Sequence, residues 1–167
     1  ADAVEPGETL FIDTGSTTLA AAAALAAVPG LTIITNSCRL ADRLAQAGSD
    51  AQVFLLGGRY GADNAQTTGA AVIDQLRGFQ ADRAVLTVAA FDPEIGAMDA
   101  SLDEAEVARA MAAHARRVTI LADGTKFGRR ATYAVCATAE IDLIISDGPL
   151  EKAHREALKH KGVDLWT

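Results

Sequence analysis

Apolar runs rich in valine, isoleucine and leucine alternate with helical stretches along the whole chain, and that rhythm restricts the fold more than any other feature. Strands are expected near residues 9–13, 31–35, 51–56, 83–88, 117–122, 142–146 and 163–166. Helices are expected near 17–28, 38–48, 69–78, 101–115 and 150–161, because each repeats apolar residues three or four apart, as Val72, Leu76 and Phe79 do. The pattern is that of βαβ units, so the class is α/β: an open, mostly parallel sheet with helices on both faces. A length of 167 residues, 50% of them hydrophobic, is enough for one domain with its own core, spanning residues 1–167. Two stretches break the rhythm, 57–68 and 123–138, the second with a short strand expected at 133–136. Long irregular connections inside a compact domain are usually binding loops.

The segment LFIDTGSTT, residues 10–18, runs an apolar strand into a turn that opens an alanine-rich helix. Gly15 permits a tight reversal, and Ser16 or Thr17 can cap the helix whose backbone N–H groups then face outward, a natural cradle for an anion. A second strand, Leu31 to Ile34, ends in Thr35, Asn36 and Ser37, and a third ends in Gly57, Gly58 and Arg59. The same residues also serve as plain caps and turns; three consecutive strands ending this way favour a site, at the sheet edge where open α/β folds hold ligands. The strand 118–122 adds Asp123-Gly-Thr-Lys126 and then Arg129 and Arg130 on that edge. Lys126 supplies a compact positive charge and Asp123 an acceptor for hydroxyls, unless the loop is simply solvated.

Glu104 stands three residues after Ser101, which fits a capping box, and this explains it without a ligand. No Walker, dinucleotide-binding or nucleophile-elbow motif is present, His114, His154 and His160 lack metal-ligand spacing, and no cofactor or metal is expected. Trp166 reads as a packing anchor. The formal charge of −7 argues against a broad positive face for nucleic acid or anionic membrane. Cys38 and Cys136 lie outside any C-x-x-C spacing, which points to reduced thiols in a cytoplasmic protein; no apolar run is long enough to span a bilayer.

With these residues assembled, the chain resembles the effector-binding region of the DeoR family of bacterial transcriptional regulators. The motifs that carry the resemblance run in order from about Leu10 to Asp147: FIDTGSTT, TNS, LLGG with Arg59, the strand and turn from Asp82 to Phe91, DEAEVARAM, LADGTKFGRR and IDLIISD. The resemblance implies the fold of ribose 5-phosphate isomerase and glucosamine 6-phosphate deaminase, and a sensor for a phosphorylated sugar. It implies Asp13, Gly15, Ser16, Thr17 and Thr18 as a first sugar-phosphate loop, Thr35, Asn36 and Ser37 as a second, Gly57, Gly58 and Arg59 as a third, and Asp123 with Lys126 as the charged loop. Ala90, Phe91, Glu104 and Arg129 are further contact candidates on the same motifs. The chain departs from the family at Ala89-Ala90-Phe91, where Phe91 adds an aromatic wall, and at Ala108, where members commonly have lysine.

The family joins such a domain to an amino-terminal winged helix-turn-helix, so DNA binding and repression are expected through a domain absent from this sequence. A homo-oligomer, dimer or tetramer, is expected as well. The alternative is an isomerase or deaminase of the same fold. The corresponding AAFDPEIG segment offers Asp92 and Glu94 but no lysine, an incomplete acid–base set.

Overall fold

The structure, a computed structural model, describes residues 2–167. The chain opens with two successive βαβ units built from β1 (Thr9–Ile12), α1 (Ser16–Ala26), β2 (Thr32–Thr35), α2 (Cys38–Gln46) and β3 (Gln52–Leu55). An antiparallel hairpin of β4 (Arg59–Gly61) and β5 (Gln66–Thr68) leads into α3 (Ala70–Leu76). Then follow β6 (Arg83–Thr87), β7 (Ala90–Asp92), β8 (Gly96–Asp99), α4 (Leu102–Ala113) and β9 (Val118–Leu121). The last elements are β10 (Tyr133–Cys136), β11 (Leu143–Ile145), α5 (Lys152–His160) and β12 (Asp164–Trp166).

Among the described residues the main sheet has seven strands in the order β12-β11-β9-β6-β1-β2-β3, with every pairing parallel. Its two faces carry separate cores, because alternate side chains of a strand point to opposite sides. Leu10 and Ile12 of β1 pack with Leu25 of α1 and with Leu40 and Leu44 of α2. Phe11, between them, packs on the other side with Val72 and Leu76 of α3 and Val107 and Met111 of α4. Phe11 is fully buried, and burial of a side chain that size contributes about 1.5–3 kcal/mol. Helices thus cover both faces. β1 is an interior strand, with β2 and β3 added on one side and β6, β9, β11 and β12 on the other. That reversal opens a crevice at the carboxyl ends of β1 and β6.

The main-sheet strands and the helices lie within two residues of their expected bounds. The hairpin β4–β5 falls in a stretch expected to be irregular, and β7 and β8 fall between an expected strand and an expected helix, where no element was expected. Each has three or four residues, mostly small or polar, so no period reveals it. β10 forms where a short strand was expected and pairs antiparallel with β8, which pairs in turn with β7. Both cysteines are free, Cys136 buried and Cys38 partly exposed. Trp166 is 45% exposed on the edge strand β12, not the packing anchor anticipated for it. No helix among the described residues is long and apolar enough to cross a membrane.

Candidate functional site

Asp13 follows β1 directly and faces the end of β6. Its carboxylate oxygens accept from the Thr87 backbone N–H, each at 3.0 Å, and lie 3.3 Å and 3.5 Å from the Thr87 hydroxyl. That hydroxyl has one proton, which it donates to the Thr14 carbonyl at 3.0 Å, so a protonated Asp13 completes the contact by donating to it. Burial likewise holds the Asp13 carboxyl well above its ordinary range, against the lowering effect of the Thr87 bonds. Gly15 has an extended φ of −175°, open to any residue. Its need for glycine is steric, because a Cβ there would stand 2.5 Å from Thr87 Oγ1 and Cγ2.

Gly15 is also the N-cap of α1, which has no side-chain cap and no acidic or basic residue in its first turn. Gly15, Ser16 and Thr17 line a cavity of about 160 Å³, faced across the gap by Asp123 and Lys126. The uncapped N–H groups and the Lys126 ammonium make this end attractive to an anion. Asp123 caps its own 3-10 turn, Gly124–Lys126: Oδ1 accepts from the Thr125 hydroxyl and from its backbone N–H at 2.8 Å. The Thr125 hydroxyl chiefly, with the backbone bond and Lys126, pulls the Asp123 carboxyl below its usual range.

Thr87 and Val88 form the shared wall between this cavity and a second of about 190 Å³, lined also by Asp13, Thr14, Asn36, Gln66, Asp99 and Glu104. Among the described residues none that lines the second cavity is cationic. Asn36 donates through Nδ2 to the Thr67 carbonyl at 2.9 Å, while its Oδ1 and the Thr14 hydroxyl are buried without a partner among the described residues. Burial, followed by the charge of Glu104, raises the Asp99 carboxyl. Gln66 and Glu104 are shared in turn with a third cavity at Arg59 and Tyr60, so the three form one groove. Arg59 is ion-paired there with Asp103.

The residues expected as contacts divide sharply. Asp13, Gly15, Ser16, Thr17, Asn36, Asp123 and Lys126 line the first two cavities. Thr18, Thr35 and Ser37 instead turn inward and hold the turns together. The Thr18 hydroxyl donates to the Gly15 carbonyl at 2.8 Å and the Thr35 hydroxyl to the Ile12 carbonyl at 2.6 Å. Ser37 caps α2 by accepting from Leu40 N–H at 3.2 Å. Gly57 is bound on both its backbone groups by the Gln75 amide, and at Gly58 a Cβ would meet the Thr68 carbonyl and Val72 at 2.7 Å, so these glycines pack β3 against α3. Arg59 is 71% exposed along its side chain and stands in the third cavity, away from Lys126.

Ala90 and Phe91 are core residues, the Phe91 ring tilted against Phe127 with centroids 5.2 Å apart, so no aromatic wall reaches the groove; Val88 and Ala89 line it instead. Ala108 is likewise in the core, and Arg129 is exposed outside the groove. Glu104, expected both as a cap and as a contact candidate, lines the groove. Ser101 Oγ does accept from its N–H at 3.5 Å, but the Glu104 carboxylate turns away and accepts from the Asn64 and Gln66 amides at 3.0 Å and 2.6 Å. The Ser101 N–H donates to Asp99 rather than to Glu104, so only half of the capping box forms. Thr14, inside the first expected turn, also lines the groove, and Gln66, Thr87 and Asp99 do so unforeseen; the hairpin and β8 bring two of these in, and no sequence spacing announces that. Asp92 and Glu94, the carboxylates weighed for acid–base work, are ion-paired outside the groove with Arg130 and Lys161 at 2.9 Å and 3.0 Å.

The architecture is that of ribose 5-phosphate isomerase-like α/β proteins. It is similar to ribose 5-phosphate isomerase A from Neisseria gonorrhoeae, with a TM-score of 0.55 and 14% identity over 77% of this chain and 49% of that one. It is also similar to eIF2B beta from Chaetomium thermophilum, with a TM-score of 0.61 and 15% identity over 86% of this chain and 46% of that one. At such identities the likeness is one of fold alone. Residues 1–148 match the DeoR C-terminal sensor domain, and the chain belongs to that family. Relatives include the HTH-type transcriptional repressor GlcR of Bacillus subtilis, 33% identical over 99% of this chain and 63% of its own length. The glycerol-3-phosphate regulon repressor of Escherichia coli is 30% identical over 89% of this chain and 59% of its own. The chain therefore spans less than two thirds of the length of these regulators.

Proposed function

We propose that this chain is the effector-binding domain of a DeoR-type repressor and senses a phosphorylated sugar in the groove. The observation that carries the reading is the junction of two unlike cavities. One has the open amino end of α1 facing Lys126, the other is walled by Asp13, Asn36, Asp99 and Glu104, and Thr87 stands between them. The first suits a phosphate and the second a polyhydroxylated body whose hydroxyls donate to its acceptors. The glycerol-3-phosphate regulon repressor among the relatives supports a phosphorylated effector.

Binding need only differ between two conformations to act as a signal. A coupling of about 1–3 kcal/mol to a winged helix-turn-helix in the longer regulator shifts operator affinity 5- to 150-fold. Dimers or tetramers match the paired half-sites such regulators read. A thermal-shift panel of phosphorylated pentoses, hexoses and trioses, each beside its unphosphorylated parent, tests the reading, with a turnover assay on every hit. Stabilisation by a phosphorylated compound, weaker with its parent and without turnover, is the expected outcome. Turnover of the hit assigns the chain to the isomerases or deaminases instead, and the absence of any shift refutes sugar-phosphate sensing.

A further inference from the structure

The middle of the groove is rich in hydrogen-bond acceptors, with the Thr14 hydroxyl and the Gln66 amide as the donors among its lining side chains. Asn36 is 2% exposed and spends its amide donor on the Thr67 carbonyl, so Oδ1 is the atom left for a ligand, buried and without a partner among the described residues. Asp99 uses Oδ1 to accept from the Ser101 N–H at 3.1 Å, and Glu104 uses Oε1 for the Asn64 and Gln66 amides. Each carboxylate keeps a second oxygen. No cation among the described residues lines this cavity: Lys126 lies in the adjoining one, and Arg59 is paired with Asp103. The acids repel one another, which is why the charge of Glu104 helps to lift the Asp99 carboxyl.

A sugar hydroxyl brings one donor together with lone pairs that seek donors in turn, and it leaves this repulsion in place. An ammonium group brings three donors, no acceptor and the missing charge. We infer that the cavity is built for a protonated amine, so that the effector is an amino sugar phosphate whose ammonium lies among Asn36, Asp99 and Glu104. The phosphate then reaches the amino end of α1 and Lys126. This inference rests on the sugar-phosphate reading above and narrows it to one chemical class.

Calorimetric titration of the chain with glucosamine 6-phosphate and galactosamine 6-phosphate, each beside its N-acetyl form and its parent hexose 6-phosphate, tests it. In at least one series the amine is expected to bind about tenfold or more tightly than both counterparts, the size of one good charge-assisted contact. Glu104→Gln, whose amide oxygen can still accept from Asn64 and Gln66, is expected to cut that ratio about threefold or more, with its melting curve confirming a folded variant. A neutral counterpart that binds as tightly as the amine in both series overturns the inference while the sugar-phosphate reading stands. A ratio unchanged in Glu104→Gln overturns it too. Absence of binding by every compound in these series also overturns the amine, and the broader reading falls with it only when the full phosphorylated panel gives no stabilisation.

Discussion

At Asp13 a single carboxyl ties two strands together and also faces the groove. Its raised titration point means that the folded chain holds a proton which the unfolded chain releases near pH 4. The stabilising contribution of this proton is therefore complete below about pH 4 and is lost as pH rises through the higher folded value. Asp13→Asn keeps an oxygen for the Thr87 N–H but does not titrate. Urea unfolding of both proteins across that range measures the difference, which is expected to move in favour of the wild type as pH falls from 7 toward 4. A difference that does not change with pH contradicts a protonated Asp13. The neighbouring Gly15 is constrained from the same side, since Thr87 occupies the space a Cβ requires. Thr87 is thus the residue on which the local geometry turns, and its ordinary place at a strand end gave no hint of this in the sequence.

At the scale of elements, α1 leaves its amino end uncapped and free of acids. An aspartate there would interact favourably with the helix dipole by about 0.3–1 kcal/mol. It would also occupy the place proposed for a phosphate. Ser16→Asp is accordingly expected to raise the melting temperature of the unliganded chain while weakening phosphorylated ligands much more than their parents. A variant that is more stable and binds phosphorylated compounds unchanged would remove α1 from the site. The central parallel sheet was legible because continuous runs such as Leu10-Phe11-Ile12 leave no other way to bury both faces. The hairpin β4–β5 was not, because residues such as Asn64 and Gln66 gain their meaning only from contact with Glu104, about forty positions along. Glu104 itself matched a strong local pattern, and the tertiary contact prevailed over it. Half of the groove therefore comes from strand ends that could be read directly, and the other half from short elements stabilised by partners remote in sequence.

For the molecule as a whole, a formal charge of −7 and a pI near 4.9 argue against a broad positive surface. Protein–DNA affinity depends on neutralising phosphates, so this chain alone is expected not to retard duplex DNA at physiological salt. Retention in a mobility-shift assay would mean that the chain itself contributes to DNA contact. The fold gives a direct route between ligand and sheet, since β1, β6 and β9 lead to Asp13, Thr87 and Asp123, which line the two adjoining cavities. The central claim is that a phosphate lies against Lys126 there. Calorimetric titration of wild type and Lys126→Ala with the best phosphorylated ligand and with its unphosphorylated parent tests this most directly. The account predicts a loss of about tenfold or more for the phosphorylated ligand and of less than about twofold for the parent. An equal loss for both would contradict it.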